Sequence, residues 1–424
     1  MADIKPLRGM KDITPGEVGT WQLAEASIRK IFSSYGYQEI RFPLVEKTSL
    51  FNRSIGQTTD IVSKEMYIFE DRKGENIALR PEGTASCVRA SISNNLLRTE
   101  SPRLWYMGPM FRYERPQKGR SRQFHQSSLE AYGVSHPYIE AELISVCARL
   151  WKELKINKEL TLEINTLGNS DSRKKYKEAL KEYFERYKND LDKNSLRQLT
   201  DNPLRILDSK LDSVRKLLAE APDIRDFIDE ESKEHFDLLL NTLDELKVNF
   251  LLNNKLVRGL DYYEKTVFEW KSNLIGAQDT ICAGGRYDNL VEELGGKPCP
   301  GVGFSIGMER LILLLEDKKN TLYKPTSLDV FFVCLTEESI PIAIKYSEEI
   351  REKIRNLNLK INFGLESASS QFKRADNSGA EVTLILGEEE LKNNSISFKE
   401  LRKESSQVTL TLEEVIERFK KMRA

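Results

Sequence analysis

In this chain of 424 residues, the side chains best suited to chemistry on an anion lie between Arg103 and Gly133. Arg112, Arg115, Lys118, Arg120 and Arg122 crowd into one short stretch there, opposed by the single acid Glu114. A guanidinium is a permanently charged planar fork that meets phosphate or carboxylate oxygens two at a time. This pattern therefore points to polyphosphate or nucleic acid. Arg112 and Glu114 fall at the end of a predicted strand rather than at a loop tip, which favours binding over an idle, solvated loop. Farther on, Gln126 and Glu130 are polar where a buried strand would carry apolar residues. Four residues apart, they share one face of a strand, as a pocket wall requires. Glu82 and Thr84 immediately precede a predicted helix. Capping is the ordinary role for an acid or hydroxyl there, and binding of a cationic ligand group is the alternative.

Two glycine-bearing stretches stand near the end of the same region. In Cys282–Asp288 (CAGGRYD) the glycines would let the backbone approach a ligand closely. Gly301–Arg310 (GVGFSIGMER) places small residues alternately in a strand that runs into an apolar helix. Neither the P-loop pattern GxxxxGK[ST] nor a strand-borne GxGxxG is present.

Composition narrows the field. Lys plus Arg is 65 against 66 for Asp plus Glu, a formal net charge of -1, so any surface for nucleic acid has to be a local patch. The five cysteines are scattered without a CxxC pair, which argues for reduced thiols and against disulfides or a zinc site. The three histidines form neither HExxH nor a Ser/His/Asp signature. No apolar run approaches the ~20 residues of a membrane span, and MADIKPLRGMKD has no signal-like apolar core. No membrane contact and a cytoplasmic location are expected.

The elements that position these residues follow from periodicity. Trp21, Ala24, Ile28, Ile31, Phe32 and Tyr35 form the stripe of an amphipathic helix that Gly36 ends. GYQEIRFPLVE reads as a strand, and Pro43 confines it to an edge or interface. A hairpin is expected from Met66–Glu70 and Asn76–Leu79, then a helix over Ala85–Leu97. Leu104–Arg112 and Gln123–Tyr132 are strands joined by a loop longer than the ~2–5 residues of a tight hairpin. A helix over Ile139–Trp151 and a strand over Leu160–Asn165 precede Asp171–Phe250, which is dense in balanced charge and helical in period. Val257–Trp270 reads as a strand interrupted at Asp261-Tyr262-Tyr263. Glu316–Ser327 is a polar linker, and strands and helices alternate beyond it as in a compact α/β domain.

Three of these stretches resemble the signature motifs of class II aminoacyl-tRNA synthetases: Pro43 after its long helix, FRYE (111–114) and GMER (307–310). LVRGLDYY (256–263) and AGGRYD (283–288) narrow the resemblance to the histidyl-tRNA synthetase family. RPEGT (80–84), RPQKGRSRQFHQ (115–126) and NPLRILDSK (202–210) are similar to that family as well. The resemblance covers nearly the whole chain. It implies an α+β catalytic domain over 1–325 with a mainly antiparallel sheet flanked by helices and a helical insertion at 171–250. It also implies an α/β anticodon-binding domain over 326–424, and a homodimer. The implied reaction is activation of L-histidine by ATP, with Mg2+ accompanying the nucleotide and no metal held by a protein cage. Transfer to the 3′-terminal adenosine of tRNA(His) follows.

The resemblance also distributes roles. Arg112 matches the arginine on the α-phosphate, Glu114 a residue near adenine, and Arg310 the arginine at the far end of the triphosphate. Arg258 matches a guanidinium placed where related enzymes hold a metal, and forms the catalytic pair with Arg112. Its plain alternative is a salt bridge to an acid such as Asp261. Glu82, Thr84 and Gln126 match residues around the α-ammonium group. Glu130 and Tyr263 match groups that hydrogen-bond the imidazole, with Tyr262 in the same histidine-binding set. Gln117 and Arg122 match residues near the extra 5′ nucleotide of the tRNA, while Lys118 and Arg120 would meet its phosphates. Ser127-Ser128-Leu129 and Gly364-Leu365-Glu366-Ser367 depart from the family's pattern, in the pocket floor and the anticodon domain respectively. A regulatory paralogue in histidine biosynthesis shares the fold but lacks the RGLDYY signature and the C-terminal domain. Both are present here.

Overall fold

The computed structural model of the chain describes residues 3–57, 59–98, 101–209, 211–276, 279–317 and 328–423. These divide into two compact units, Met1–Tyr323 and Lys324–Ala424. The expected linker lies outside the described residues from position 318 onward, and so does the expected domain boundary at 325/326.

The first unit is built on an eight-stranded sheet. Its strands run, from edge to edge, Gln38–Glu39, Arg103–Phe111, Gln123–Tyr132, Gly301–Gly307, Thr280–Arg286, Glu264–Lys271, Thr161–Thr166 and Leu251–Leu252. Only the two outermost pairings are parallel, so the sheet is mainly antiparallel, as expected. Alternation along each strand assigns its faces. Trp105, Leu129, Val302 and Phe304 point to a core shared with the helices Val18–Ser34, Tyr138–Glu153, Glu230–Glu245 and Met308–Asp317. Tyr106, Tyr132 and Val267 point to the other face, where they meet Val88 of the helix Thr84–Ser93 together with Tyr262, Tyr263 and Tyr287. The polar residues at alternate positions, Gln126 and Glu130, share that second face.

Two expectations change. GYQEIRFPLVE is not one strand: Gln38–Glu39 edges the large sheet, and Val45–Lys47 pairs instead in a three-stranded sheet with Asn76–Leu79 and Ile68–Glu70. Pro43, lacking an N–H, sits in the break between the two sheets. The strand expected from Val257 begins only at Glu264, leaving 256–263 as a loop. The highly charged stretch 171–250 is helical, but its parts differ in what they bury. Tyr176, Leu180, Phe184, Leu199 and Ile206 pack in a small core of their own. Phe236, Leu239 and Leu243 of Glu230–Glu245 are buried in the main core instead. Burying a side chain of that size stabilises by roughly 1.5–3 kcal/mol, so this last helix is bound into the first unit's framework.

The second unit is a five-stranded sheet in the order Leu359–Ile361, Val330–Cys334, Val382–Leu386, Ile396–Glu400, Val408–Leu410. The first three strands are parallel and the last two antiparallel. Helices Ser339–Lys353 and Leu412–Arg423 cover its main core. Among the described residues no helix is long and apolar enough to cross a membrane.

Candidate active site

The site forms on the second face of the large sheet. Strands Arg103–Phe111 and Gln123–Tyr132 pair from Arg103↔Ala131 to Phe111↔Gln123. The basic loop between them is fixed at its base: the Arg112 N–H donates to the Arg122 carbonyl at 2.8 Å. The Gly9 carbonyl accepts from the N–H groups of Arg122 and Gln123, at 2.7 and 3.3 Å. The strand Gly301–Gly307 lies alongside, with Gly307 opposite Gln126 and Gly303 opposite Glu130.

A cavity of about 320 Å³ opens there, lined by Glu82, Thr84, Arg112, Glu114, Arg120, Gln126, Arg258, Tyr262, Tyr263 and Arg310, among others. The chain thus gathers into one cavity ten side chains drawn from four separate stretches. Arg112 donates from Nε to the Pro81 carbonyl at 2.8 Å and lies over the Phe124 ring at 5.2 Å. Arg310 donates to the carbonyls of Gly119 and Thr280, at 3.1 and 2.7 Å. Burial and then the neighbouring Arg120 and Arg112 guanidinium groups push Arg310 down to about 10. Arg112 and Arg120 are lowered as well, in each case mainly by burial. Guanidinium groups destabilised by burial and mutual repulsion are stabilised by a polyanion.

Acceptors line the same cavity. The buried Glu82 carboxylate accepts the N–H groups of Thr84 and Ala85, at 2.6 and 2.9 Å, at the start of the helix Thr84–Ser93. The capping role is therefore present, and these bonds offset part of the upward push that burial exerts on the carboxyl. Thr84 sits inside the helix, its hydroxyl donating to Glu130 at 2.9 Å. Gln126 Oε1 is buried with no hydrogen-bond partner among the described residues, a vacancy that suits a ligand ammonium group.

Arg258 forms an ion pair, but not with Asp261: its partner is Glu269. Glu269 also accepts from Thr280 Oγ1 at 3.0 Å, and Lys271 lies 3.4 Å away. Arg258 sits over the Tyr263 ring at 5.7 Å. Burial disfavours its charge, yet Glu269 and then the tyrosines hold it above the ordinary guanidinium value.

Glu130 lies beneath the cavity rather than on its lining. Oε1 accepts from the hydroxyls of Thr84 and Tyr106, both at 2.9 Å, and Oε2 accepts from Tyr287. Burial outweighs these donors and pushes the carboxyl up to about 8. Gly284 and Gly285, expected to admit a ligand, instead admit other parts of the protein, and Gly303 does the same. A Cβ on Gly303 would strike the Glu130 carboxylate, one on Gly284 the Gly303 carbonyl, and one on Gly285 the Tyr263 ring at 2.9 Å. Gly303→Ala is accordingly expected to destabilise the ligand-free protein by about 1–3 kcal/mol, the usual range for overpacking. Urea denaturation would measure it, and an unchanged midpoint would refute the packing account.

The residues expected to face RNA separate. Gln117 and Lys118 line a second cavity of about 490 Å³ beside Lys11, Trp21 and Ile312. Arg122 lines neither cavity; its guanidinium stacks 3.7 Å over the Tyr113 ring, and its Nε donates to the Glu114 carbonyl at 3.2 Å. Arg120 stands between the two groups. It is paired with the Glu114 carboxylate and borders both cavities, because the loop folds back over the strand end. Tyr106, Tyr287, Glu269 and Asp208 are site residues that sequence reasoning missed. Tyr106 carried a usable signal: it alternates onto the face shared by Gln126 and Glu130, opposite Ser128.

Comparison with known proteins gives a consistent result. A family model described as histidyl-tRNA synthetase matches residues 9–311, and one described as an anticodon-binding domain matches residues 329–422. The crystal structure of apo histidyl-tRNA synthetase from S. aureus is similar at 33% identity and a TM-score of 0.81, covering 99% of this chain and 100% of that one. Histidyl-tRNA synthetase from Nostoc sp. PCC 7120 shares the fold at 23% identity and a TM-score of 0.69, with 100% of both chains covered. A protein from Bacillus halodurans described as an ATP phosphoribosyltransferase regulatory subunit/histidyl-tRNA synthetase also shares it. That match has 20% identity and a TM-score of 0.62, over 87% of this chain and 96% of the other.

Proposed function

This chain belongs to the histidyl-tRNA synthetase family and is a histidine–tRNA ligase, and we propose that the hairpin Arg103–Tyr132 serves all three of its substrates. In the first step a carboxylate oxygen of histidine attacks the α-phosphorus of ATP, and the bond to the β-phosphate oxygen breaks to release pyrophosphate. A carboxylate is already nucleophilic, so the step calls for in-line positioning and for compensation of phosphate charge. Arg112 takes the α-phosphate, Arg310 and Arg120 the rest of the triphosphate, and Glu114 the adenine side. Arg258 bridges the reacting carboxylate and phosphate. Glu82, Thr84 and Gln126 hold the ammonium group, and Glu130, Tyr262 and Tyr263 recognise the imidazole. In the second step a ribose hydroxyl of the terminal adenosine of tRNA(His) attacks the histidyl carbonyl, and AMP leaves.

The observation that carries this reading is the 320 Å³ cavity in which repelling guanidinium groups stand together with the buried, unpartnered Gln126 Oε1 and the Glu82 carboxylate. It suits a polyphosphate joined to an amino acid. The described residues contain no group of three or more His, Cys, Asp or Glu that would hold a metal ion, and Mg2+ enters in this reading as part of the nucleotide substrate.

The catalytic domain is read as 1–325 with its insertion at 171–250, and the anticodon-binding domain as 326–424. A homodimer is favoured by exposed apolar residues on the small sheet, Leu44 beside it and Val45, Ile68 and Phe69 within it. The free cysteines suit a reducing, cytoplasmic setting. Gln117, Lys118 and Arg122 are assigned to the acceptor end of tRNA(His).

Histidine-dependent ATP–pyrophosphate exchange by the purified protein with Mg2+ tests the first step, and absence of exchange overturns the reading. Arg122→Ala is expected to keep that exchange within about twofold while lowering tRNA charging at least about tenfold, the value of one lost base or phosphate contact. A parallel loss of exchange would remove the loop from the RNA side of the site.

A further inference from the structure

The loop 256–263 carries Arg258, Tyr262 and Tyr263 but belongs to no strand or helix, so its backbone groups must be held by something other than a ladder. The helical insertion supplies much of the hold. Arg173 donates from Nη1 to the carbonyls of Tyr263 and Asp261, at 2.5 and 3.4 Å. Asn202 Nδ2 and Arg205 Nη2 both meet Asp261 Oδ1, at 3.2 and 3.3 Å. On the opposite side the Asp261 N–H donates to the Ile55 carbonyl at 3.3 Å, and Gly56 leaves room for the carboxylate: a Cβ there would lie 3.0 Å from Asp261 Cγ. The Asp261 carboxylate is thus clamped between the insertion and the loop at 55–56, three residues from Arg258.

We infer that the insertion positions the catalytic loop for histidine activation, with Asp261 as the hub and Arg205 as the insertion's grip on it. Asp261 and Arg205 touch no substrate in this account; they are positioning residues that act through Arg258 and Tyr263. The inference rests on the roles given to those two residues above. It assigns to the 202–210 stretch a task in the first chemical step, independent of any contact the insertion makes with RNA. The physical ground is the steep dependence of in-line transfer on geometry, where a displacement of about 1 Å costs on the order of 10²-fold in rate.

The test compares Arg205→Ala, Arg205→Lys, Asp261→Asn and the double variant Arg205→Ala/Asp261→Asn with the full-length wild type. Steady-state histidine-dependent exchange and thermal melting are the readouts. Each single removal is expected to lower the exchange kcat about tenfold or more, with ATP KM moved less than about twofold. The double variant should match the worse single one, because contacting partners are not additive. Arg205→Lys should recover part of the loss. A folded Arg205→Ala with wild-type kcat overturns the inference, and so do losses that multiply in the double variant or that merely track a falling Tm. If Asp261→Asn fails to fold, Arg205→Ala against Arg205→Lys decides the matter. Failure of the functional reading itself would show differently, as absence of exchange in the wild type.

Discussion

Arg258→Ala is expected to slow histidyl-adenylate formation by about 10²–10³-fold, the usual loss when one preorganised transition-state donor is removed. ATP KM should change by less than about threefold. The asymmetry arises because a guanidinium between carboxylate and phosphate gains most when negative charge spreads over the pentacoordinate phosphorus. The fold should survive the change: Glu269 loses its ion-pair partner but keeps the Thr280 hydroxyl and the nearby Lys271 ammonium. Arg258→Lys should recover little, since a point charge on a flexible stem cannot present two parallel N–H groups. Single-turnover adenylate formation measures the chemical step directly. Equal losses in adenylate formation and in ATP binding would identify Arg258 as a ground-state anchor instead.

Glu130→Gln should have two opposed effects. Burial keeps Glu130 protonated in the folded chain up to about 8, whereas an unfolded glutamate releases its proton near 4.5. Between these values the folded state binds the extra proton, so its stability falls as pH rises through that window and levels off on either side. Glutamine has no such ionisation. The Tm of ligand-free Glu130→Gln minus that of the wild type should therefore grow from pH 4.5 to about 8 and then hold steady. A gap that does not vary with pH would refute the assignment of a buried carboxyl whose hydrogen bonds only partly offset its burial. In the same variant the histidine KM should rise about 2–10-fold, the range for losing one hydrogen bond to a neutral carboxyl. The two results together would identify Glu130 as a residue kept at a cost in stability and needed for recognition.

Much of the framework was legible because its signals are local. The strand Gln123–Tyr132 begins and ends where alternation places it, and Val18–Ser34 follows the apolar stripe from Trp21 to Tyr35. Strand and helix periods are properties of a few consecutive residues, so they survive without knowledge of the tertiary fold. The three motif arginines were legible as well: Arg112, Arg258 and Arg310, from three separate motifs, line one cavity.

The exceptions lie where local periodicity meets a distant constraint. GYQEIRFPLVE has a strand's composition over its whole length, yet two different sheets claim its ends. The 256–263 loop continues a strand-like pattern but gives up ladder pairing, and side chains of the insertion hold it instead. Its ion-pair chemistry followed suit, with Glu269 rather than Asp261 taking Arg258.

By itself, the amino-acid sequence determined the order of elements, the polar face of the 123–132 strand and the family to which the motifs belong. Only the tertiary structure decided what each of these groups touches. Tyr287 reaches Glu130 across 157 positions, and Arg205 reaches Asp261 across 56. It also decided why Gly303 is glycine, since the atom it makes room for belongs to Glu130 on the neighbouring strand. Burial and ion pairing depend on which surfaces the fold brings together, and burial sets the charge state of Glu130. The basic loop of the opening stretch is likewise divided by folding: Arg120 turns toward the cavity, while Arg122 stacks on Tyr113.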